Sequence, residues 1–263
     1  RYLPTSTVTS FTIPTSVVEV AERAFYKNNY LQTLTFVAGT IQTGNSNGYT
    51  TTYPSNLTLA RYAISENPYL TTIKLQNNSS GFGVILTSYA IASNPALTTL
   101  KIIGFQSILS SYAVYNNVNL ALIMTGPATD KPFGSSGSEI FANIYIQPYA
   151  FFGSGKTNGT TVFYTNTYKT FILSHAFSHS RIVNFEFNIN IATSGYNATV
   201  YHPDAFAVGV SVQVNENGDI VQTYESITIK VPSANLTAYQ TLRGFSFYSS
   251  SISGVGSFPD RTY

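Results

Sequence analysis

The chain has 263 residues, only 9% of them charged, with a formal net charge of +2, twenty tyrosines and no cysteine. So sparse a charge, with no basic run, leaves no electrostatic footprint for nucleic acid or an anionic membrane. The missing thiols exclude disulfides, zinc–thiolate sites and cysteine nucleophiles, and no apolar run approaches the roughly 18 residues of a membrane span.

From the N-terminus, "VTSFTI" (8–13) alternates polar and apolar residues and predicts a short strand, stopped by Pro14. The chain then repeats itself. The segments 20–36, 59–75, 86–102 and 109–125 share one pattern: an aliphatic opening, Ala fifth, an apolar residue sixth, Asn ninth, and aliphatic residues twelfth and fifteenth. Such self-similarity means stacked units, each burying its apolar face on the next. The segment after Asn predicts a strand, with Leu31, Leu34 and Phe36 turned inward, then Leu70, Ile73 and Leu75 in the next unit. Ala24, Ala63, Ala90 and Ala113 fit where only a small side chain can meet the neighbouring coil. Asn28, Asn67, Asn94 and Asn117 read as a buried ladder, because a buried amide can satisfy backbone groups that would otherwise be orphaned at roughly 1–3 kcal/mol each.

Residues 126–263 repeat more loosely, in "IQPYAFFGSG" (146–155), "ILSHAFSHSRIVNFEF" (172–187), "YHPDAFAVG" (201–209) and the half-units "YESITI" (224–229) and "LRGFSF" (242–247). "AFFGSGKT" (150–157) spells a phosphate-binding loop, but that chemistry needs a helix starting at the lysine. The next residues, "NGTTVFY" (158–164), predict a turn and a strand. Ala150-Phe151 also keeps step with Ala24-Phe25 and Ala176-Phe177, so the Gly-Ser-Gly-Lys-Thr stretch is read as an inter-strand loop and no nucleotide or other cofactor is expected.

His175 and His179 have the four-residue spacing of a helical metal pair. They share columns with Arg23, Tyr62, Tyr89 and Tyr112, and with Lys27, Glu66, Ser93 and Asn116, which are variable and expected to be exposed. His202 lies a full repeat away, so no metal site is expected. "NENGD" (215–219) between alternating flanks predicts a hairpin turning at Asn217-Gly218. The acids are scattered; Glu186 and Glu225 are the one pair that could share a surface, and no nucleophile elbow accompanies the serines, so no enzyme is expected. N-glycosylation sequons stand at Asn56, Asn77, Asn78, Asn158, Asn197 and Asn235, of which Asn77, Asn78 and Asn158 fall in inter-repeat insertions.

The repeat, with its Ala-Phe, its Asn and its Leu-x-x-Ile-x-Ile-Pro ending, resembles the leucine-rich repeats of the BspA-like, or Treponema-type, family; "VTSFTIPTSVVEVAERAF" (8–25), including Pro14, fits it especially well. The resemblance is strong to Thr125 and weak beyond. It implies an arc-shaped solenoid and a cell-surface or secreted protein used in adhesion and recognition. The expected fold is therefore a mostly-β repeat solenoid with parallel short strands, few or short helices, and β-hairpin insertions in the C-terminal half. It forms a single unit over 1–263, regular over 1–125 and degenerate over 126–263.

Two functions emerge as expectations. A surface with so little charge does little to keep copies apart. No half-unit precedes "VTSFTI", and no helical cap pattern comes after "LRGFSF". Uncovered ends of a repeat array favour head-to-tail association into a filament or surface layer, so the leading expectation is a non-enzymatic extracellular structural protein whose partner is itself. The alternative is a cell-surface adhesin that binds host proteins or glycans through a stripe on the exposed sheet face, made of Thr33, Thr35, Thr72, Lys74, Thr99 and Lys101.

Overall fold

The computed structural model describes residues 7–258 apart from 15, 39–41, 47–48, 54–55, 78–82, 105, 127–142, 166–168, 190–196, 201–202, 209–210, 215–216, 218–219, 224 and 243. Most strands of the described chain are parallel, arranged in three sheets around one apolar core. The longest sheet has nine strands in chain order: β1 (Ser10–Ile13), β2 (Thr33–Ala38), β3 (Thr72–Asn77), β4 (Thr99–Ile103), β5 (Leu122–Gly126), β6 (Val162–Thr165), β7 (Asn184–Phe187), β8 (Thr228–Pro232) and β9 (Ile252–Val255). A seven-stranded sheet runs from Glu19–Val20 through Leu57–Leu59, Val84–Leu86, Gln106–Leu109, Asn143–Ile146 and Lys169–Ile172 to Asn197–Val200. A third, of two-residue strands, joins Phe25–Tyr26, Ile64–Ser65, Ile91–Ala92 and Val114–Tyr115. Each regular unit thus supplies one strand to each sheet, where the sequence pattern had marked one strand per unit. The result is a mostly-β repeat fold.

Registry is exact to the residue along the long sheet. Leu34, Ile73, Leu100, Ile123, Phe163, Phe185 and Ile229 pair in one unbroken row, and every one is fully buried. Alternate strand positions face opposite sides, so placing this row inward fixes Thr35, Lys74 and Lys101 outward. The expected inward residues Leu31, Leu70, Leu97 and Leu120 are likewise at most 2% exposed. Beyond Thr125 the core changes from aliphatic to aromatic. Phe151, Phe177 and Phe206 stack at 5.1 and 5.6 Å in the column that Ile64, Ile91 and Val114 occupy earlier. The stacked phenyl rings keep the column continuous.

Three expectations need correction. Hairpins are not confined to the C-terminal half: Ser211–Val214 pairs antiparallel with Ile220–Thr223, as expected, but Gln42–Ser46 also pairs with Tyr49–Tyr53. The first insertion leaves the ladder after β2 and rejoins at Leu57, so β2 and β3 still pair directly. "LRGFSF" is not a strand; Phe245–Ser251 is a 3-10 segment. The C-terminal end is also capped. The short helix α1 (Leu236–Thr241) and this 3-10 segment bury Tyr239 and Phe245 against Phe187 and Phe206, with Leu236 and Leu242 beside them. Thr237, Thr241, Ser246, Ser249 and Ser250 face outward together with Ala238 and Phe247, an outer surface made mostly of hydroxyls.

Candidate interaction surfaces

The Asn ladder forms as the spacing requires. Asn67 Oδ1 accepts from the Asn28 N–H at 2.9 Å, Asn94 Oδ1 from the Asn67 N–H at 3.1 Å, and Asn117 Oδ1 from the Asn94 N–H at 3.0 Å. The Nδ2 groups of Asn67, Asn94 and Asn117 donate to the carbonyls of Phe25, Ile64 and Ile91 in the preceding unit. Asn67, Asn94 and Asn117 are fully buried, and Asn28, at the N-terminal end, is half-buried. Ser154 continues the ladder: its Oγ accepts from the Asn117 N–H at 3.1 Å and donates to Val114 O at 2.8 Å.

That assignment explains the "GSGKT" stretch. Ser154 is a ladder residue, and Gly155, at φ +116°, lies so close to Arg181 that an added Cβ would sit 2.9 Å from its backbone carbon. The Lys156 N–H donates to Thr161 Oγ1 at 2.7 Å, and the chain runs on into β6. No helix begins at Lys156, so its N–H groups are not presented in the array that cradles phosphate.

The two variable columns have a backbone identity that residue type concealed. Arg23, Tyr62, Tyr89, Tyr112, Tyr149 and His175 all take φ between 55° and 61°, and Lys27, Glu66, Ser93, Asn116 and His179 take 53–58°. They are the two left-handed corners of each coil, and the His175/His179 spacing is the corner-to-corner step. The first column is not exposed as expected. Tyr62, Tyr89, Tyr112 and Tyr149 are half-buried and stack at 5.5, 5.5 and 5.6 Å, continued by His175 at 5.5 Å and bordered by Arg61 over Tyr62 and Tyr89. A second file, Tyr115, Phe152 and His179, packs alongside it. The rings lie face to face, so the ladder shows its edges to solvent. His175 Nε2 lies 3.6 Å from Asp204 Oδ2. Among the described residues no group of three His, Asp or Glu is placed to hold a metal ion; His202 lies outside them.

The stripe residues do share one face. Thr33, Thr72 and Thr99 pair in one row and Thr35, Lys74 and Lys101 in another, all half-buried. The second row continues through Met124, Tyr164 and Glu186 to Lys230, but there it is covered: Met124 is 1% and Tyr164 5% exposed, and the buried Glu186 carboxylate lies 3.6 Å from Lys230 Nζ. Phe258 packs against Tyr164 at 6.1 Å. Glu225 is exposed, its N–H bonded to Val208 O. Among the sequons, Asn158 is exposed within an exposed loop, Asn56 is half-buried with its Oδ1 accepting from the Gly83 N–H, and Asn235 is buried at 2% exposure. A glycan on Asn235 would have to displace the C-terminal cap. Asn77 and Asn197 lie in strands, and Asn78 is outside the described residues. No family model and no curated protein matches the chain.

Proposed function

We propose that the chain is a non-enzymatic structural protein of the cell exterior, a leucine-rich-repeat-like solenoid that self-associates through its N-terminal face. One observation carries the reading. In the Ala-apolar column, Ala63-Ile64, Ala90-Ile91, Ala113-Val114, Ala150-Phe151, Ala176-Phe177 and Ala205-Phe206 are at most 2% exposed, whereas Ala24 and Phe25 are only half-buried. Phe11 and Val17 beside them are also partly buried. Among the described residues, the strands here, β1, Glu19–Val20 and Phe25–Tyr26, are the edges of their three sheets. A partly bare apolar face bordered by strand edges is a template for another chain.

A second copy is the occupant that fits best. Glu19, Glu22, Arg23 and Lys27, all exposed, bring both signs of charge to this unit, and with Arg23 3.8 Å from Glu22 and Lys27 3.4 Å from Glu66 the unit does not repel a second copy brought up about a two-fold axis. Pairing about a two-fold axis closes at two copies. Head-to-tail stacking would instead set the apolar face against a hydroxyl-rich cap. That filament reading keeps two supports, the exposed edge strand β9 and Phe247, 65% exposed on the cap. The exterior location rests on the low-charge, hydroxyl-rich composition and on the family resemblance. Sedimentation velocity over a hundredfold concentration range tests the reading. A dimer that Ala24→Arg converts to monomer, and Phe247→Ser leaves intact, supports face-to-face pairing. An open series of oligomers abolished by Phe247→Ser supports the filament, and a monomer throughout overturns both.

A further inference from the structure

We propose that a groove beside Tyr30 and Tyr69 binds a neutral oligosaccharide. Tyr30 and Tyr69 are 47% and 58% exposed, two of only four large apolar side chains so exposed among the described residues. They hold the same position in adjacent units, where the following units place Ala96 and Asn119. Together with Thr9, Asn29, Gln32 and Pro68 they line an open groove of about 600 Å³, within the size range of small-molecule sites. A second groove of about 470 Å³ continues it, sharing Asn29 and Pro68; its two charges, Lys27 and Glu66, lie 3.4 Å apart and neutralise each other.

The lining selects the ligand class. Among the described residues no charged side chain lines the first groove, and the side chains that do line it give phosphate, carboxylate or ammonium ligands no counter-charge. The side-chain amides of Asn29 and Gln32 are exposed and make no hydrogen bond to another described residue. An amide both donates and accepts, which matches the hydroxyls around a sugar ring. An exposed tyrosine offers an apolar ring with a polar tip, which matches the C–H face of a pyranose and its rim. Two tyrosines in successive units, with a neutral extension alongside, suit a chain of sugars better than a single residue. In this unit the first groove follows the Lys27 corner, whereas Ala24 and Phe25 precede it, and the inference does not rest on self-association.

The test is titration of the full chain with neutral hexasaccharides of glucose (β-1,4, β-1,3 and α-1,4 linked) and of N-acetylglucosamine (β-1,4 linked), read by saturation-transfer NMR and calorimetry. At least one is expected to bind, with Tyr30→Ala and Tyr69→Ala each weakening affinity at least tenfold and Gln32→Ala weakening it less. The paired variant Lys74→Glu/Lys101→Glu is expected to bind as the wild type does, which separates this groove from the sheet-face stripe. Circular dichroism checks that each variant is folded, and Tyr69→Phe, which keeps the ring, is expected to retain binding. Absence of binding to all four sugars at millimolar concentration, or binding indifferent to both tyrosine truncations, overturns the proposal.

Discussion

Replacing Asn94 with alanine is the sharpest probe of the fold, because the structure predicts both a large effect and a small one at an equivalent position. The Asn94 Oδ1 accepts from the Asn67 N–H at 3.1 Å and from Asn67 Nδ2 at 2.9 Å, and its Nδ2 donates to Ile64 O at 3.1 Å and to Asn117 Oδ1 at 3.2 Å. After truncation the Asn67 N–H is left without an acceptor at a fully buried residue, which costs about 1–3 kcal/mol. Ile64 O and Asn67 Nδ2 each lose one partner, at about 1 kcal/mol apiece, although Nδ2 keeps Phe25 O. The expected total is about 3–5 kcal/mol. Asn28→Ala removes a side chain whose Oδ1 serves the N–H groups of Tyr30 and Leu31 at 3.0 Å, but this turn is open to water, and about 1 kcal/mol is expected. At about 2–4 °C per kcal/mol for a chain of this size, Asn94→Ala should lower Tm by roughly 6–20 °C and Asn28→Ala by only a few. Urea titration followed by far-UV circular dichroism measures both, and hydrogen exchange at the Asn67 amide reports the orphaned donor directly. Equal losses at the two positions would refute the ladder as a load shared between buried coils.

Three further outcomes are expected. Gly155→Ala, which drives a Cβ to 2.9 Å from Arg181 at φ +116°, should destabilise by about 2–3 kcal/mol in urea titration, whereas Gly256→Ala, with nothing within 4 Å, should change stability by less than about 0.5 kcal/mol. At Tyr89, φ 61° and stacked on both sides, Tyr89→Gly should be less damaging than Tyr89→Ala by about 1 kcal/mol, the reverse of the usual order, since only alanine keeps the left-handed strain after the rings are lost. Burial raises the Tyr239 phenol pKa far above its ordinary value of 10, so the folded state holds its proton where the unfolded chain has released it. Its contribution is complete below pH 10 and is lost as pH rises above that, by about 1.4 kcal/mol per pH unit; Tyr239→Phe should remove that one-proton slope from stability measured between pH 10 and 11.5.

Much of this architecture was legible because a stacked coil writes its constraints at fixed spacing. The Asn and Ala columns, the inward Leu31, Leu34 and Phe36, and the place of Ala150-Phe151 all derive from a position that must meet its own copy in the next unit. The same rule grouped Arg23 with Tyr62 and Lys27 with Glu66 although nothing in those side chains betrays a left-handed backbone. What the pattern did not show was structure without a period. Two-residue strands such as Ile64–Ser65 are too short to alternate. The cap escaped notice because α1 has only six residues, too few to show a helical period, even though Asn235 stands at its N-cap. The exposed Tyr30 and Tyr69 sit at a variable position of the repeat, where a pattern search discards the residue type that a surface groove depends on.

The corners connect the fold to its proposed association. Among the described residues eleven non-glycine residues hold positive φ, and at about 1–2 kcal/mol each the summed strain would rival or exceed the net stability of a domain. It persists because every corner is matched by the next. Stacking of Tyr62, Tyr89, Tyr112 and Tyr149 returns about 0.5–1.5 kcal/mol per contact, and the buried amides tie each coil's carbonyls to its neighbour. No coil can relax its corners without unstacking the coils beside it. The first coil gains least from this arrangement. Arg23 and Lys27 hold the same strained backbone with exposed side chains that have ion-pair contacts to Glu22 and Glu66 at 3.8 and 3.4 Å and lie over Tyr26 at 5.6 and 5.0 Å, in place of a continuous ring stack, and Asn28 is half-buried where its counterparts are sealed. Strain that no stack of rings offsets is concentrated on the same face that leaves Ala24 and Phe25 half-covered. A second copy against that face would supply both missing terms at once, so the Asn28 and Phe25 amides should gain hydrogen-exchange protection as concentration rises through the dimerisation range, while those of Asn94 and Ile91 should not change.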